Sequence, residues 1–317
     1  MTAPRLAAID VGTNTVLLLV AEQRGGQLVP VLERAEITRL GKGVDASGRL
    51  DPERLEATVA VLADFAAAAR ALGAREIACV ATSAARDAAN GAEFFAAARD
   101  RAGLRAEVIS GDEEARLVYA SAARDFGGGA AGGAGVAGGD IPLAVLDVGG
   151  GSTEWIVGEG PRPRGRVSLQ LGAVRLTERH VRTDPIGRDG VTALRDAARA
   201  ALEGAAALAP APGARMVGVA GTVTTLAAVA QALPRHDAGR VHGAALARGE
   251  VDALVDRLAP LPLAQRAQVP GMEPKRADVI VAGAVVVSEA MRRFGFEALT
   301  VSDCGVRWGL LYDRLPA

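Results

Sequence analysis

Aromatic residues are nearly absent from this chain of 317 residues: two Trp, two Tyr and six Phe make up 3 % of it, although half of the sequence is apolar. Much of that apolar half is alanine, which favours helix and adds little buried area per residue, so helices should cover a large share of the chain. Cysteine is almost as scarce. Cys79 and Cys304 stand in apolar, strand-like runs without CxxC or metal-ligand spacing, and are expected to be buried thiols of a reducing compartment. His180, His236 and His242 are too scattered for a histidine metal site, and the His236-Asp237 dipeptide falls in a polar loop and reads as surface. GxSxG, Walker A and HExxH are all missing, which removes the signatures of three common catalytic schemes. No uncharged apolar run reaches the eighteen residues of a membrane span. The apolar run at the N-terminus is interrupted by Asp10, Thr13 and Asn14, so a signal peptide is not expected either. These absences predict a soluble, cytoplasmic protein.

Charge of either sign is balanced. The formal net charge is −1, which gives no global attraction to polyanions, and neither nucleic acid nor membrane is an expected partner. Any anion site must come from local arginines and backbone amides. Lysine occurs twice, at Lys42 and Lys275, and the remaining basic residues are arginines. Arginine suits fork-shaped phosphate contacts, but genome composition is the safer reading of the bias.

What the chain does hold is a repeat. Residues 6–22, LAAIDVGTNTVLLLVAE, align without a gap on residues 143–159, LAVLDVGGGSTEWIVGE, at an offset of 137. Leu6, Ala7, Asp10, Val11, Gly12, Val20 and Glu22 are matched by Leu143, Ala144, Asp147, Val148, Gly149, Val157 and Glu159. Each copy is an apolar strand, an Asp-x-Gly turn and a second apolar strand, the pattern of a β-hairpin. Two copies this far apart predict two lobes of related architecture facing each other across a cleft. An aspartate ending a buried strand is costly unless it holds a metal, a water or a loop. Asp10 and Asp147 are therefore candidate ligands of a hydrated divalent cation between the lobes. Gly12 and the run Gly149-Gly150-Gly151 let backbone N–H groups approach an anion. Thr13, Asn14, Thr15, Ser152 and Thr153 add side-chain donors. Within the repeat, Leu17 of the first copy is replaced by Glu154 of the second, an acid where symmetry alone places an apolar residue.

Along the chain, strands are predicted at 5–10, 15–23, 28–38, 76–82, 105–109, 142–148, 216–221 and 297–301. Asp51-Pro52 gives an N-cap with Pro at N1, opening a helix that ends near Gly73. The segment 82–94 reads as a turn and a short helix leading into another, and a helix opens at Ser110 or Gly111. Further helices are predicted near 173–182, 187–208, 248–258, 274–294 and 305–315. Residues 127–139, GGGAAGGAGVAGG, predict a flexible loop. Their literal GxGxxG at Gly133, Gly135 and Gly138 is a decoy, because no strand precedes it and no helix follows. The strand MVGVAG running into TVTTLAAVAQAL places Thr222 at a helix start, where free N–H groups and the helix dipole favour an anion; plain threonine capping is the alternative. Glu113 and Glu114 diverge by about 100° on their helix, so only one can face the cleft.

IDVGTNT, TRLGKGVDASGRL, TSAARDAANGAEF, ISGDEEARLVY, LDVGGGSTE, AGTVTTLA and VSDCGVRWGLL, in this order between residue 6 and about 312, resemble the exopolyphosphatase and guanosine-pentaphosphate phosphohydrolase (Ppx/GppA) family. The resemblance implies an α/β fold of two actin-like (ribonuclease H-like) lobes with an interlobe cleft. The first lobe would be 1–126, with the C-terminal helix 305–317 packing back on it, and the second 140–304. It also implies Glu114 as the catalytic base that activates water, and Glu154 as a ligand of the metal or water. Arg86 would be a phosphate clamp and Arg39 a second one. Mg²⁺, or Mn²⁺, would be the cofactor, and a homodimer the assembly. The implied reaction releases orthophosphate from the end of inorganic polyphosphate, with guanosine pentaphosphate as a further substrate. Two departures stand out: Trp308 follows Arg307 where the family has an acid, and the glycine-rich segment is long. The chain stops after the second lobe, as in the family's short form. Arg162, Arg164 and Arg166 would guide a polyanion or lie on a solvated hairpin. Two other functions are a non-catalytic regulator binding guanosine tetraphosphate or polyphosphate, and a small-molecule kinase of the same superfold.

Overall fold

The computed structural model describes residues 4–128 and 140–315. The glycine-rich loop expected at 127–139 lies, apart from Gly127 and Gly128, outside the described residues, as does its GxGxxG. Two compact units result. One is built from the chain up to Leu117 together with the segment from Val306, the other from Val118–Gly305.

The first unit is organised by its opening hairpins. Strands β1 (Arg5–Val11), β2 (Thr15–Arg24) and β3 (Gln27–Ile37) form an antiparallel meander. β4 (Ala74–Ala81) and β5 (Ala106–Val108) add in parallel on the other side of β1, giving the order β3-β2-β1-β4-β5. Asp51 caps the helix Pro52–Ala71 through its side chain, which accepts the Arg54 N–H at 3.0 Å, as the Asp-Pro pair predicts. That helix buries Leu55, Val59, Leu62, Phe65 and Ala66, residues three to four apart, against Ile9, Val16 and Leu18 of the sheet. The C-terminal helix Val306–Tyr312 is tied to the same unit by Arg307 to Glu33 at 2.6 Å and by Arg314 to Glu76 at 2.8 Å.

The second unit repeats the plan. β6 (Leu143–Val148), β7 (Thr153–Glu159) and β8 (Arg162–Leu169) form the meander, and β9 (Arg215–Val219) pairs parallel to β6. A short β10 (Ala245–Ala247) precedes β11 (Ala298–Val301), and the order is β10-β11-β9-β6-β7-β8. Leaving out β10, this is the order of the first sheet. Trp155 on β7 stacks on Phe294 with ring centroids 3.9 Å apart and donates its indole N–H to Leu208 O at 2.9 Å, so an amphipathic ring is buried with its polar edge satisfied.

Two helices differ from expectation. The run predicted at 187–208 ends as helix at Leu202 and closes with a 3₁₀ turn at Glu203–Ala205. The run predicted at 274–294 is broken: a 3₁₀ turn at Pro274–Arg276 is followed by a helix only from Ile280. Arg266, almost fully buried, explains the break, because it takes the carbonyls of Ala277 (3.0 Å), Leu258 (3.0 Å) and Leu261 (2.8 Å). Cys79 is buried as expected, whereas Cys304 is partly exposed because it lies beyond the end of β11. His236 and Asp237 are exposed, as expected, and the Asp237 carboxylate caps the helix Ala238–Val241. No helix among the described residues is long and apolar enough to cross a membrane.

Candidate functional site

Most candidate residues sit at the carboxyl ends of five parallel strands: Asp10–Asn14 at the end of β1, Thr82–Arg86 at that of β4, Ser110–Glu114 at that of β5, Asp147–Ser152 at that of β6 and Ala220–Thr222 at that of β9. Open sheets bind ligands at this end.

The two Asp-Gly turns are the same turn. Gly12 N–H donates to Thr15 O at 3.0 Å, and Gly149 N–H to Ser152 O at 3.0 Å. In the first unit, Arg39 holds a left-handed backbone (φ 57°) while its N–H donates to Asn14 O at 3.0 Å, and Gly41 N–H donates to Thr13 O at 2.8 Å. In a trans peptide the carbonyl and the next N–H point opposite ways, so the bond at Thr13 O turns the Asn14 amide away from this loop. The Arg39 backbone thus shapes the turn. Strained non-glycine residues of this kind cost ~1–3 kcal/mol and gather at functional sites. Thr13 and Ser83 share a 2.7 Å hydroxyl contact. Asn14 Nδ2 and Asp10 Oδ1 are buried without a hydrogen-bond partner among the described residues. Buried orphans each cost ~1–3 kcal/mol and ask for a group from outside the chain. Desolvation raises the Asp10 carboxyl to about 6, against the pull of Arg307.

Such a raised acid binds its proton more tightly folded than unfolded, so stability falls as pH climbs from the ordinary carboxylate range through about 6. Asp10→Asn should remove that decline. In chelator the variant should gain melting temperature over the parent above pH 6 and lose the gain near pH 4, as thermal melts across pH will show.

The adjacent glutamates part company. Glu113 binds Arg116 at 2.7 and 2.8 Å, and Arg116 also bonds Asp313. Glu114 is buried, with Oε2 3.7 Å from Nη1 of Arg86, and that nitrogen donates to Ile109 O at 2.8 Å. Ser110 opens their helix by accepting the Glu113 N–H on Oγ at 3.1 Å. One acid is engaged at the surface and the other is held beside a guanidinium.

In the second unit Asp147 on β6 lies directly across from Glu154 on β7, both buried, where the first copy pairs Asp10 with Leu17. Ser168 donates to Glu154 Oε1 at 2.7 Å. Two buried carboxylates facing each other in one register pair offer oxygens from both strands to a cation. The donor set is all oxygen, which fits Mg²⁺ or Mn²⁺. Next to them, the helix Ala173–His180 anchors the glycine loop. Ala173 N–H binds Gly149 O at 2.9 Å, Val174 N–H binds Gly150 O at 2.9 Å, and Arg175 Nε binds Gly151 O at 2.8 Å. With three successive carbonyls drawn to that helix, the amides of Gly150, Gly151 and Ser152 must point the other way, a cradle for an anion.

Gly172 makes this approach possible: a Cβ there would stand 2.3 Å from Gly150 O and 2.6 Å from Gly151 C. Its backbone (φ −145°, ψ 160°) suits any residue, so the requirement is purely one of space. Gly172→Ala should cost ~1–3 kcal/mol, seen as a lowered melting temperature, because it pushes the Gly150 and Gly151 backbone out of place.

Thr222 is buried inside the first turn of the helix Ala220–Ala230, and no side chain caps that helix. The helix begins two residues earlier than the sequence predicts, at Ala220, a non-glycine residue with φ 71°. Sequence reasoning missed Arg276, whose guanidinium lies over Gly221 at this helix start, 2.3 Å from where a Cβ would be. Desolvation draws its pKa down to about 10, against Glu273. A cation at the positive end of a helix dipole wants an anion there. Inside an expected continuous helix Arg276 carried no mark of its own; the break at Ala277 exposes it. Trp308, where the resemblance implies an acid, is buried with its ring centroid 6.0 Å from that of Tyr312, so an indole fills that position. Arg162 and Arg164 are exposed on edge strand β8, and Arg166 is half-buried.

The duplicated sheets and their hairpins define an α/β protein of two actin-like units, the fold shared with its structural relatives. The chain belongs to the Ppx/GppA phosphatase family, whose family model matches residues 19–317. It is 40 % identical over 324 aligned positions to exopolyphosphatase 2 of Mycobacterium tuberculosis, with 98 % of each chain covered. The Ppx/GppA enzyme of Aquifex aeolicus, a solved structure, is 33 % identical with TM-score 0.79, covering 98 % of this chain and 99 % of that one. A solved exopolyphosphatase-like protein is 30 % identical with TM-score 0.88, covering 99 % and 98 %.

Proposed function

We propose that the chain is an exopolyphosphatase that releases terminal orthophosphate from inorganic polyphosphate by metal-assisted hydrolysis. Hydrolysis of phosphoanhydrides is supported by its family and by the 40 % identity to a named exopolyphosphatase. The observation that carries the reading is the adjacency, within four residues of loop, of the Asp147–Glu154 carboxylate pair and the three outward amides of Gly150, Gly151 and Ser152. One binds a divalent cation and the other a phosphoryl oxygen.

Asp147 and Glu154 would hold Mg²⁺, which would supply charge neutralisation for the transferred phosphoryl group. In the second unit the glycine-loop amides offer donors to phosphate oxygens; in the first, the Gly12–Asn14 turn offers donors, and Arg86 and Arg39 offer positive charge. Arg276 adds a guanidinium at the helix start where Thr222 sits. Glu114 takes the proton of the attacking water as it adds in line to the terminal phosphorus; the bridging P–O bond breaks and the shortened chain departs as an anion. Guanosine pentaphosphate presents the same terminal anhydride and is the second expected substrate.

The test is orthophosphate release from long-chain polyphosphate by the full chain, with Mg²⁺ and with chelator. Release that needs the metal supports the proposal. Tight binding of polyphosphate or guanosine tetraphosphate without any release sinks it and leaves a binding regulator.

A further inference from the structure

Away from the glycine loops, the second unit gathers three side chains that the hydrolytic reading does not use. Asp125, at the end of the helix Gly111–Phe126, His242, just after the helix Ala238–Val241, and Cys304, beyond β11, each present one ligand atom, and the three atoms lie within 4.8 Å of one another. All three residues are half-buried. Asp125 Oδ2 is buried and stands 4.0 Å from His242 Nε2, and the Cys304 thiol hydrogen-bonds the same carboxyl.

The surroundings hold these groups in place. Gly243 N–H binds Val301 O and Val301 N–H binds Ala244 O, both at 2.8 Å, which locks the His242 segment to the strand that leads to Cys304. The imidazole packs against Phe126, next to Asp125, with ring centroids 5.2 Å apart and 30° between planes. Ser302 Oγ accepts the Cys304 N–H at 3.2 Å and donates to its carbonyl at 3.1 Å, which fixes the turn that carries the thiol. The loop is therefore ordered before any ligand arrives.

We propose that Asp125, His242 and Cys304 form a site for a borderline-soft divalent transition metal, Zn²⁺ foremost, sharing no residue with the acidic pair Asp147 and Glu154. One thiolate, one imidazole and one carboxylate match zinc and disfavour Mg²⁺, which demands hard oxygen ligands. Around tetrahedral zinc, with bonds of about 2.0–2.3 Å, ligand atoms sit about 3.3–3.8 Å apart, so closure from the present spacing is on the order of 1 Å. Binding releases the Cys304 thiol proton to solvent. On ligation through Nε2 the ring proton moves to Nδ1, and the Asp303 N–H, now 3.3 Å from Nδ1, gives way. Three protein ligands leave a fourth position to water, the pattern of open zinc sites. Cys79 does not compete, because burial pushes its thiol up to about 12.

The probe is Co²⁺ titrated into the full chain, followed by the thiolate-to-cobalt charge-transfer band in the near ultraviolet, with Zn²⁺ then displacing it. One Co²⁺ per chain with that band, absent in Cys304→Ser, is the expected result. His242→Gln should weaken affinity by at least about tenfold, since even partners outside the ligand set are worth about 10–100-fold. Glu154→Gln should keep the band. Absence of the band in the parent chain overturns the proposal, as does its survival in Cys304→Ser. Loss of the band in Glu154→Gln overturns the independence of the two sites. Should Cys304→Ser misfold by circular dichroism, the His242→Gln titration decides, with unchanged affinity counting against the site.

Discussion

Glu114→Gln is expected to lower orthophosphate release from polyphosphate by about 10²–10⁴-fold while leaving the melting temperature close to that of the parent. The amide has the shape of the carboxylate and still reaches toward Arg86, so the helix start and its neighbour stay in place. What it loses is the capacity to accept a proton from water. Loss should therefore fall on kcat, with KM little changed, because the amides and arginines proposed to bind phosphate are intact. The matched control is Glu113→Gln. That side chain is taken by Arg116, itself shared with Asp313, and surface pairs of this kind are worth ~0–1 kcal/mol. The control should keep parental kcat. A Glu114→Gln enzyme within tenfold of the parent, or a Glu113 variant that fails equally, would assign the base elsewhere.

The fold was legible where sequence pattern and local chemistry agree. The repeat at an offset of 137 predicted two hairpins, and the structure extends the likeness to strand order and to the 3.0 Å turn hydrogen bonds of Gly12 and Gly149. The Asp51-Pro52 start was readable because a cap is a short-range device. Illegible were features set by partners distant in sequence. The break before Ile280 follows from Arg266 taking the Ala277 carbonyl, a choice no periodicity reveals. β10 has three residues, too few for alternation to register. Arg276 at Gly221 joins positions far apart in the chain. The histidines looked isolated because His242 finds its companions in Asp125 and Cys304 and not in another histidine. For the acidic residues, the replacement of Leu17 by Glu154 was visible as a broken symmetry. Only the register shows that Glu154 stands directly across from Asp147.

That register makes Glu154 the second position of large effect. Glu154→Gln keeps an acceptor for Ser168, which donates to Oε1 at 2.7 Å, and removes one of two facing buried charges. In chelator the variant should melt at or above the parent, since the repulsion between neighbouring carboxylates has gone. Mg²⁺ should reverse the order. A cation that binds only the folded parent stabilises it by ~2.7 kcal/mol at a hundredfold excess over Kd, whereas the variant, left with Asp147 alone of the facing pair, should show little of that rise and lose about 10²-fold or more of its phosphate release. Glu154→Leu restores the first copy's residue at this register position and should lose activity as fully; it also strands the Ser168 hydroxyl, at a cost of ~1–3 kcal/mol. The comparison separates charge from packing: if Gln and Leu both retain the parental Mg²⁺-dependent shift in melting temperature, Glu154 is not a ligand. Loss of the shift in Gln without loss of folding assigns the metal to the place where the second copy sets an acid in the position of the first copy's Leu17.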